Sequence, residues 1–315
     1  MRVVGVVQRR RSWPLEPRGA ARGKWTERTA VIVGVRTEDH ETGLGEAAPL
    51  PEMSIDSIED AVAAIVDLAA CVPLAIDSPA HATGIADRLA AAPAARFAIE
   101  TALLSALAQH AGTSIAALWS PIPQGELRSA VVVDDEDDAR QAVVRGARCL
   151  KIKASDPDRV LRIAAAVPGV RLRVDANRSW PRAEVERWLA RLELLPIDYV
   201  EEPCVDAHEL LARHLPCRIA LDESLVRLEP AELARAVTSP ALAALILKPT
   251  LLGGFARCQE LAALAHRHGV APIVTHALEG PIGFAACIEL ARTIGADVPV
   301  GLAPHPGLDH YGEAM

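Results

Sequence analysis

The 315-residue sequence lacks an excess of positive charge. Lys and Arg number 33 against 41 Asp and Glu, which gives a formal net charge of −8. Because binding of a polyphosphate backbone depends on a basic surface, we expect no nucleic-acid partner. Half of the residues are hydrophobic and 23% are charged, a composition typical of a globular protein with a sizeable core.

Clustered cysteines and long hydrophobic runs are also missing. The six cysteines are scattered without a Cys-x-x-Cys pair, so we expect no cysteine metal site and a reduced, intracellular protein. The most apolar late stretch, Ala241 to Leu247, is far too short to span a bilayer. The basic run at residues 8–11 follows a short apolar stretch instead of preceding it, unlike a secretory signal. The expected location is the cytoplasm, with no membrane partner.

The first part of the chain favours a small α+β domain, which we place at residues 1–115. Strand-like segments surround an irregular stretch from Pro14 to Gly23, and alanine-rich helical patterns follow after Pro51. Strands first and helices afterwards are typical of this class of domain.

The second part, residues 116–315, alternates short apolar strands with helical stretches. The eight strands are expected to end near Val133, Lys153, Asp175, Glu201, Asp222, Lys248, Thr275 and Leu302. Such spacing fits parallel strand–helix units, and eight of them favour a (β/α)8-type barrel. An open doubly wound sheet is the alternative, but no Gly-x-Gly-x-x-Gly segment follows the first strand of any unit.

Charged residues end five successive strands of this predicted barrel. They are Lys151 and Lys153, Asp175, Glu201, Asp222, and Lys248. The carboxyl ends of barrel strands surround the active site, so three carboxylates flanked by lysines are expected to converge there. Hard oxygen ligands without Cys or His fit Mg²⁺, and a lysine with a lowered pKa beside it is a base for removing a proton next to a carboxylate. Structural ion pairs are the alternative explanation of the charges.

This order of residues resembles the muconate-lactonizing branch of the enolase superfamily. Four segments more closely resemble the o-succinylbenzoate synthase family of menaquinone biosynthesis, at residues 174–180, 201–204, 222–225 and 247–254. The resemblance implies a Mg²⁺-dependent carbon–oxygen lyase whose N-terminal α+β domain caps the barrel. It also implies a lid over Pro14 to Trp25 and a C-terminal tail that returns toward the cap.

The same resemblance implies roles for individual residues. Asp175, Glu201 and Asp222 would hold Mg²⁺. Lys153 would take the α-proton from 2-succinyl-6-hydroxy-2,4-cyclohexadiene-1-carboxylate and return it to the departing hydroxyl. Lys248 would stabilise the enediolate from the opposite face. The expected partner is therefore a small-molecule carboxylate, and the chain is expected to be a monomer or a homo-oligomer.

Substrate contacts are predicted for Lys151, Arg173, Asn177, Thr250 and Glu279. Lys151 has an alternative role in tuning Lys153 by its charge, and Arg173 has an alternative role in pairing with a ligand carboxylate.

One position departs from the family pattern, and other activities remain open. His276 stands where relatives often carry a serine-rich stretch, and we interpret it as a substrate contact or a hydrogen-bonded wall residue. Alternative functions are isomerases of the same branch: an N-acylamino acid racemase, a dipeptide epimerase or a muconate-type cycloisomerase. Dipeptide epimerases usually carry Asp-x-Asp near the eighth strand, and this sequence has none there. A barrel that only binds ligands is the alternative from another class of protein.

Overall fold

The computed structural model describes residues 1–15, 25–120, 125–295 and 298–305. Most of the predicted lid and the predicted returning tail lie outside these residues. Within the described parts of the chain, no helix is both long enough and apolar enough to cross a membrane.

The N-terminal region contains an antiparallel sheet with the strand order β3-β2-β1-β4. Its strands are β1 (Arg2–Pro14), β2 (Glu27–Thr37), β3 (Thr42–Ala47) and β4 (Leu74–Ala75). Its helices are α1 (Ile58–Ala70), α2 (Pro79–Leu89), α3 (Pro93–His110) and α4 (Ile115–Trp119). Strands and helices thus pack as the α+β unit that the pattern predicts. Helix α4 spans the predicted boundary between residues 115 and 116, which stays a prediction.

Helix α3 is the centre of this region, and two glycines let β3 lie directly on it. Pro93 is the first residue of the helix. The helix contains many alanines, whose small side chains let neighbouring elements pack closely, and it is buried on almost every side. A Cβ atom on Gly45 would lie 1.9 Å from the carbonyl oxygen of Ala98, so only glycine permits this close approach. A Cβ atom on Gly43 would likewise lie 2.0 Å from the carbonyl oxygen of Ala102, one turn further along the helix.

The second region is a curled parallel sheet with its strands in sequence order from β5 to β11. The strands are β5 (Val131–Val133), β6 (Cys149–Lys153), β7 (Arg171–Asp175), β8 (Ile197–Glu201), β9 (Ile219–Leu221), β10 (Leu242–Leu247) and β11 (Ala271–Val274). Each ends within one residue of its predicted end. An eighth segment closes the curl, because Val300 forms a parallel bridge with Ser129 and Gly301 forms one with Thr275. The predicted (β/α)8-type barrel with an N-terminal α+β domain is confirmed.

Helices cover the outside of this barrel. They are α5 (Glu136–Val144), α6 (Pro157–Ala166), α7 (Val185–Leu192), α8 (Pro230–Ala236), α9 (Pro249–Leu252), α10 (Gly254–Arg267) and α11 (Pro281–Ile294), with 3-10 turns at Arg182–Glu184, Ala207–Ala212 and Glu223–Val226. Every residue of β10 is buried, as expected for a parallel strand with helices on one face and the barrel interior on the other.

Two buried carboxylates of the cap bind the first turns of barrel helices. Glu100 of α3 accepts a hydrogen bond from the backbone N–H of Phe255 in α10. Glu46 of β3 accepts hydrogen bonds from Gly280 and Gly283 at the start of α11, at 2.6 and 2.9 Å. Helix starts follow the carboxyl ends of the strands, so these bonds place the cap over the face where an active site would lie.

Candidate active site

Three buried carboxylates stand at the ends of adjacent barrel strands. Asp175 and Glu201 are the last residues of β7 and β8, and they are paired across the two strands. Asp222 follows β9 directly. Their exposed fractions are 7%, 2% and 4%. Burial raises the pKa of Glu201 and of Asp222, so each carboxylate needs a nearby cation to remain ionised.

Two of the three lysines at the site supply that positive charge. The Nζ atom of Lys151 lies 2.9 Å from Asp175 Oδ2 and 2.9 Å from Glu201 Oε2. The Nζ atom of Lys248 pairs with Asp222 Oδ2. Burial favours the neutral form of both lysines, but the carboxylates outweigh it and leave the pKa of each above its ordinary value. Both lysines therefore remain cationic.

Lys153 differs from the other two lysines because its side-chain amine has no ion pair or hydrogen bond with any residue that the structure describes. It lies next to Asp175 in the register between β6 and β7. Burial lowers the pKa of Lys153, and the charges of Lys151 and Lys248 lower it further, although Asp175 opposes them. Lys153 therefore loses its proton more readily than Lys151 or Lys248 does.

The donor set fits a hard divalent cation by its chemistry. Asp175, Glu201 and Asp222 offer only oxygen atoms, which Mg²⁺ prefers. In this structure the ammonium groups of Lys151 and Lys248 pair with these oxygens. The three carboxylates are thus the residues that would hold Mg²⁺.

Backbone and side-chain donors hold the carboxylates in place. Asn177 donates to Asp175 Oδ1 from its Nδ2 at 2.7 Å and from its backbone N–H at 3.1 Å. Asn177 thus orients Asp175, and its predicted substrate contact stays a prediction. Glu202, which is fully buried, accepts hydrogen bonds from the backbone N–H groups of Asp222 and Ser224, both at 2.9 Å. It fixes the turn that carries Asp222.

Three other predicted substrate residues lie away from the carboxylates. Arg173 donates to Asp198 at 3.2 Å and to the Pro299 carbonyl at 2.6 Å. It lies two residues before Asp175, roughly 7 Å deeper in the barrel, which is why the shared face did not bring it to the site. Thr250 donates to Glu279, and neither residue has exposed surface. The side chains of all three residues are engaged with other protein groups, and their predicted substrate contacts stay predictions.

His276 lies at the end of the seventh barrel strand and forms part of an aromatic group. Its ring stacks on His305 with the centroids 4.4 Å apart, and the Phe284 centroid lies 5.6 Å away. Burial lowers the pKa of His276 well below its ordinary value, and the charges of His305 and of the three lysines add to this effect. The imidazole is therefore neutral at physiological pH.

Two buried charged residues of the cap were not singled out from the sequence. Arg28 and Glu46 are 1% and 0% exposed, and both bind the segment that follows β11. The sequence carried no signal for Arg28, which stands between Glu27 and Thr29, whereas Glu46 is a charge beside apolar residues, which is costly to bury unless it is paired.

Comparisons with known proteins agree with this architecture. Residues 134–310 match the family described as "Enolase C-terminal domain-like", and residues 3–119 match the "Mandelate racemase / muconate lactonizing enzyme, N-terminal domain".

Similar individual proteins carry two kinds of name. The o-succinylbenzoate synthase of Pectobacterium atrosepticum is 30% identical over 286 residues, covering 87% of this chain and 82% of that protein. The enzyme of the same name from Edwardsiella ictaluri is 31% identical over 285 residues, covering 84% and 79%. A dipeptide epimerase from Methylococcus capsulatus, solved with Mg and the dipeptide L-Arg-D-Lys, superimposes with a TM-score of 0.82 at 27% identity, covering 96% of this chain and 90% of that one.

Proposed function

The chain belongs to the enolase superfamily, and from this premise we propose that it catalyses the Mg²⁺-dependent o-succinylbenzoate synthase reaction. The substrate would be 2-succinyl-6-hydroxy-2,4-cyclohexadiene-1-carboxylate, and the product, o-succinylbenzoate, would serve menaquinone biosynthesis. The names of the curated relatives support this choice of reaction.

The observation that carries the proposal is the different state of the lysines on strands β6 and β10. Lys153 has a lowered pKa and no partner among the described residues, so it suits the role of base. Lys248 is held cationic by Asp222, so it suits the stabilisation of negative charge. Strands two and six of an eight-stranded barrel face each other across the axis, which leaves room for a substrate carbon between the two amines.

The reaction balances with these two residues. Lys153 Nζ takes the proton from the carbon that bears the carboxylate, and the electron pair of that bond moves into the enediolate. Lys248 stabilises the resulting negative charge. The electron pair then forms a new ring double bond between this carbon and its neighbour that bears the hydroxyl, the carbon–oxygen bond to the hydroxyl breaks, and Lys153 returns its proton so that water leaves. Removal and return by one amine make this a syn elimination.

Mg²⁺ would be held by Asp175, Glu201 and Asp222, and when bound it would supply positive charge to the substrate carboxylate. Lys151, which contacts two of these carboxylates, would limit their repulsion in the free enzyme. Burial is the main cause of the lowered pKa of Lys153, and the positive charge of Lys151 adds to it.

An ultraviolet assay of diene loss tests the proposal directly. With Mg²⁺ we expect turnover at a kcat/KM on the order of 10⁴ M⁻¹s⁻¹ or above, and none after chelation. Lys153→Ala should lower turnover by at least about a thousandfold while it leaves Mg²⁺ binding unchanged. Full activity of this variant would show that another residue is the base.

A racemase of N-acylamino acids is the second candidate. Two amines on opposite sides of an α-carbon also permit proton return on the other face, and the similarity to the Methylococcus capsulatus epimerase favours this chemistry. The described residues 298–305 contain no acidic side chain that could hold a substrate ammonium group, so an acylated amino group fits better than a free one. Exchange of the α-proton of N-succinyl amino acids in D₂O, followed by NMR, distinguishes this activity from dehydration.

A further inference from the structure

We propose that His276 is a substrate-recognition residue that donates a hydrogen bond from Nε2 to an oxygen of the succinyl arm of the substrate. We further propose that Arg28 of the cap is the positioning residue for this imidazole. The inference rests on the proposed function, because it assigns the part of the substrate that Mg²⁺ and the two catalytic lysines do not hold.

The order of the strands decides where that arm must lie. The three carboxylates occupy strands three to five, and Lys153 and Lys248 occupy strands two and six. A substrate carboxylate directed at the first group, with its α-carbon between the two lysines, leaves the rest of the molecule directed at strands seven, eight and one. His276 follows strand seven, and His305 follows the closing segment of strand eight.

The orientation of the imidazole is fixed by its own loop. The backbone N–H of Leu278 donates to Nδ1 of His276 at 3.2 Å, so Nδ1 is the acceptor and the ring proton lies on Nε2. No described residue accepts a hydrogen bond from that Nε2. The side chain is also partly exposed, in contrast to the buried residues on either side of it. His276 therefore presents one neutral donor.

The wall around His276 suits an oxygen-bearing arm. Phe284 and His305 pack against the ring, so it cannot turn away without losing both contacts. The described residues 298–305 carry no Asp, Glu, Lys or Arg. The keto and carboxylate oxygens of a succinyl group accept hydrogen bonds. An ammonium group, in contrast, would have no carboxylate partner among residues 298–305.

Arg28 connects the cap to the loop that carries His276. Its guanidinium donates to the carbonyls of Ala48 and Pro49 in the cap, at 2.6 and 2.7 Å. It also donates to the carbonyls of Ala277 and Leu278 in the barrel, at 3.2 and 3.1 Å. Leu278 has a φ of 60°, a conformation that a leucine keeps only when its surroundings hold it. Arg28 thus holds the residue whose N–H orients His276.

Calorimetric titration with two ligands tests the assignment in the presence of Mg²⁺. The ligands are o-succinylbenzoate, and benzoate, which lacks the arm. His276→Phe keeps a stacked ring but removes the donor, so we expect binding of o-succinylbenzoate to weaken about tenfold while benzoate is unaffected. His276→Gln carries an amide donor at a similar distance from the backbone and should restore most of the lost affinity. Equal weakening of both ligands, or of neither, overturns the proposal.

A double-mutant cycle tests the positioning role. Arg28→Lys keeps the charge and loses most of the carbonyl bonds, so it should weaken o-succinylbenzoate but add nothing further in the His276→Phe background. Glu100→Gln alters a cap–barrel contact at α10 instead, and it should preserve the preference for o-succinylbenzoate over benzoate. Additive losses in the double variant would remove Arg28 from this role. Diene turnover by the wild-type enzyme decides the proposed function separately, because these titrations measure binding alone.

Discussion

Replacing Glu100 by Gln should change how the stability of the protein depends on pH. Glu100 is 1% exposed, and its Oε2 accepts the backbone N–H of Phe255. Its other oxygen, Oε1, has no hydrogen-bond partner among the described residues. A glutamine can therefore keep the acceptor toward Phe255 and place its amide nitrogen where Oε1 now lies, which imitates the protonated acid without the ability to titrate.

The size of the effect follows from the shifted pKa. Burial raises the pKa of Glu100 from 4.5 to about 8, although two backbone N–H groups oppose it. Between these values the unfolded chain releases a proton that the folded protein retains, so the free energy of unfolding falls as pH rises. One pKa unit corresponds to about 1.4 kcal/mol, so the full shift corresponds to about 5 kcal/mol, present below pH 4.5 and lost above pH 8.

Urea denaturation of both proteins from pH 5 to pH 9 measures this difference. We expect the free energy of unfolding of Glu100→Gln, relative to that of the wild type, to increase from pH 5 to about pH 8 and to level off above pH 8. Burial also raises the pKa of Glu46 to about 7, but that contribution is common to both proteins and cancels in the comparison. Glu59→Gln, which removes a carboxylate at the protein surface, is the matched control. A constant difference for Glu100→Gln would refute the reasoning.

Three further predictions concern the metal ligands, the base and the packing of the cap. Asp222→Asn should weaken Mg²⁺ binding by about tenfold or more in a calorimetric titration, and an unchanged affinity would remove Asp222 from the ligand set. The pH profile of kcat/KM should rise as Lys153 loses its proton, with a midpoint below 10.5 because burial lowers its pKa; a midpoint at or above that value would contradict its role as base. Gly45→Ala should lower the free energy of unfolding by about 3 kcal/mol or more, since the new methyl group would meet the Ala98 carbonyl. Thermal denaturation measures this loss. Gly84→Ala is the control, because its Cβ atom would meet only the flexible end of Arg88, at 3.6 Å, and little change in stability is expected.

The sequence alone determined the architecture and the positions of the charged strand ends. Parallel strands buried on both sides appear as short apolar runs, and helices between them give a regular spacing, so local pattern is sufficient to count and place them. A charge that ends such a run is costly unless it is used or paired, which is why Asp175, Glu201 and Lys153 stood out. Their roles in the reaction stay predictions.

The sequence could not decide how deep each side chain lies within the barrel. Side-chain alternation indicates that Arg173 and Asp175 share a face, but it does not say which layer of the interior each one reaches. Arg173 therefore pairs with Asp198 at the start of β8. Thr250 and Glu279 likewise follow strands six and seven, and their side chains are fully buried and hydrogen-bonded to each other.

Only the tertiary structure decided which lysine is unpaired and which cap residues orient the barrel. Lys151 and Lys153 are equivalent in a sequence pattern, and the distances from their amines to carboxylates on other strands distinguish them. Glu46 meets Gly280 across 234 positions of the chain, a contact that no local pattern contains. Composition and periodicity act over a few residues, whereas ion pairing and burial depend on what the fold brings together from distant parts of the chain.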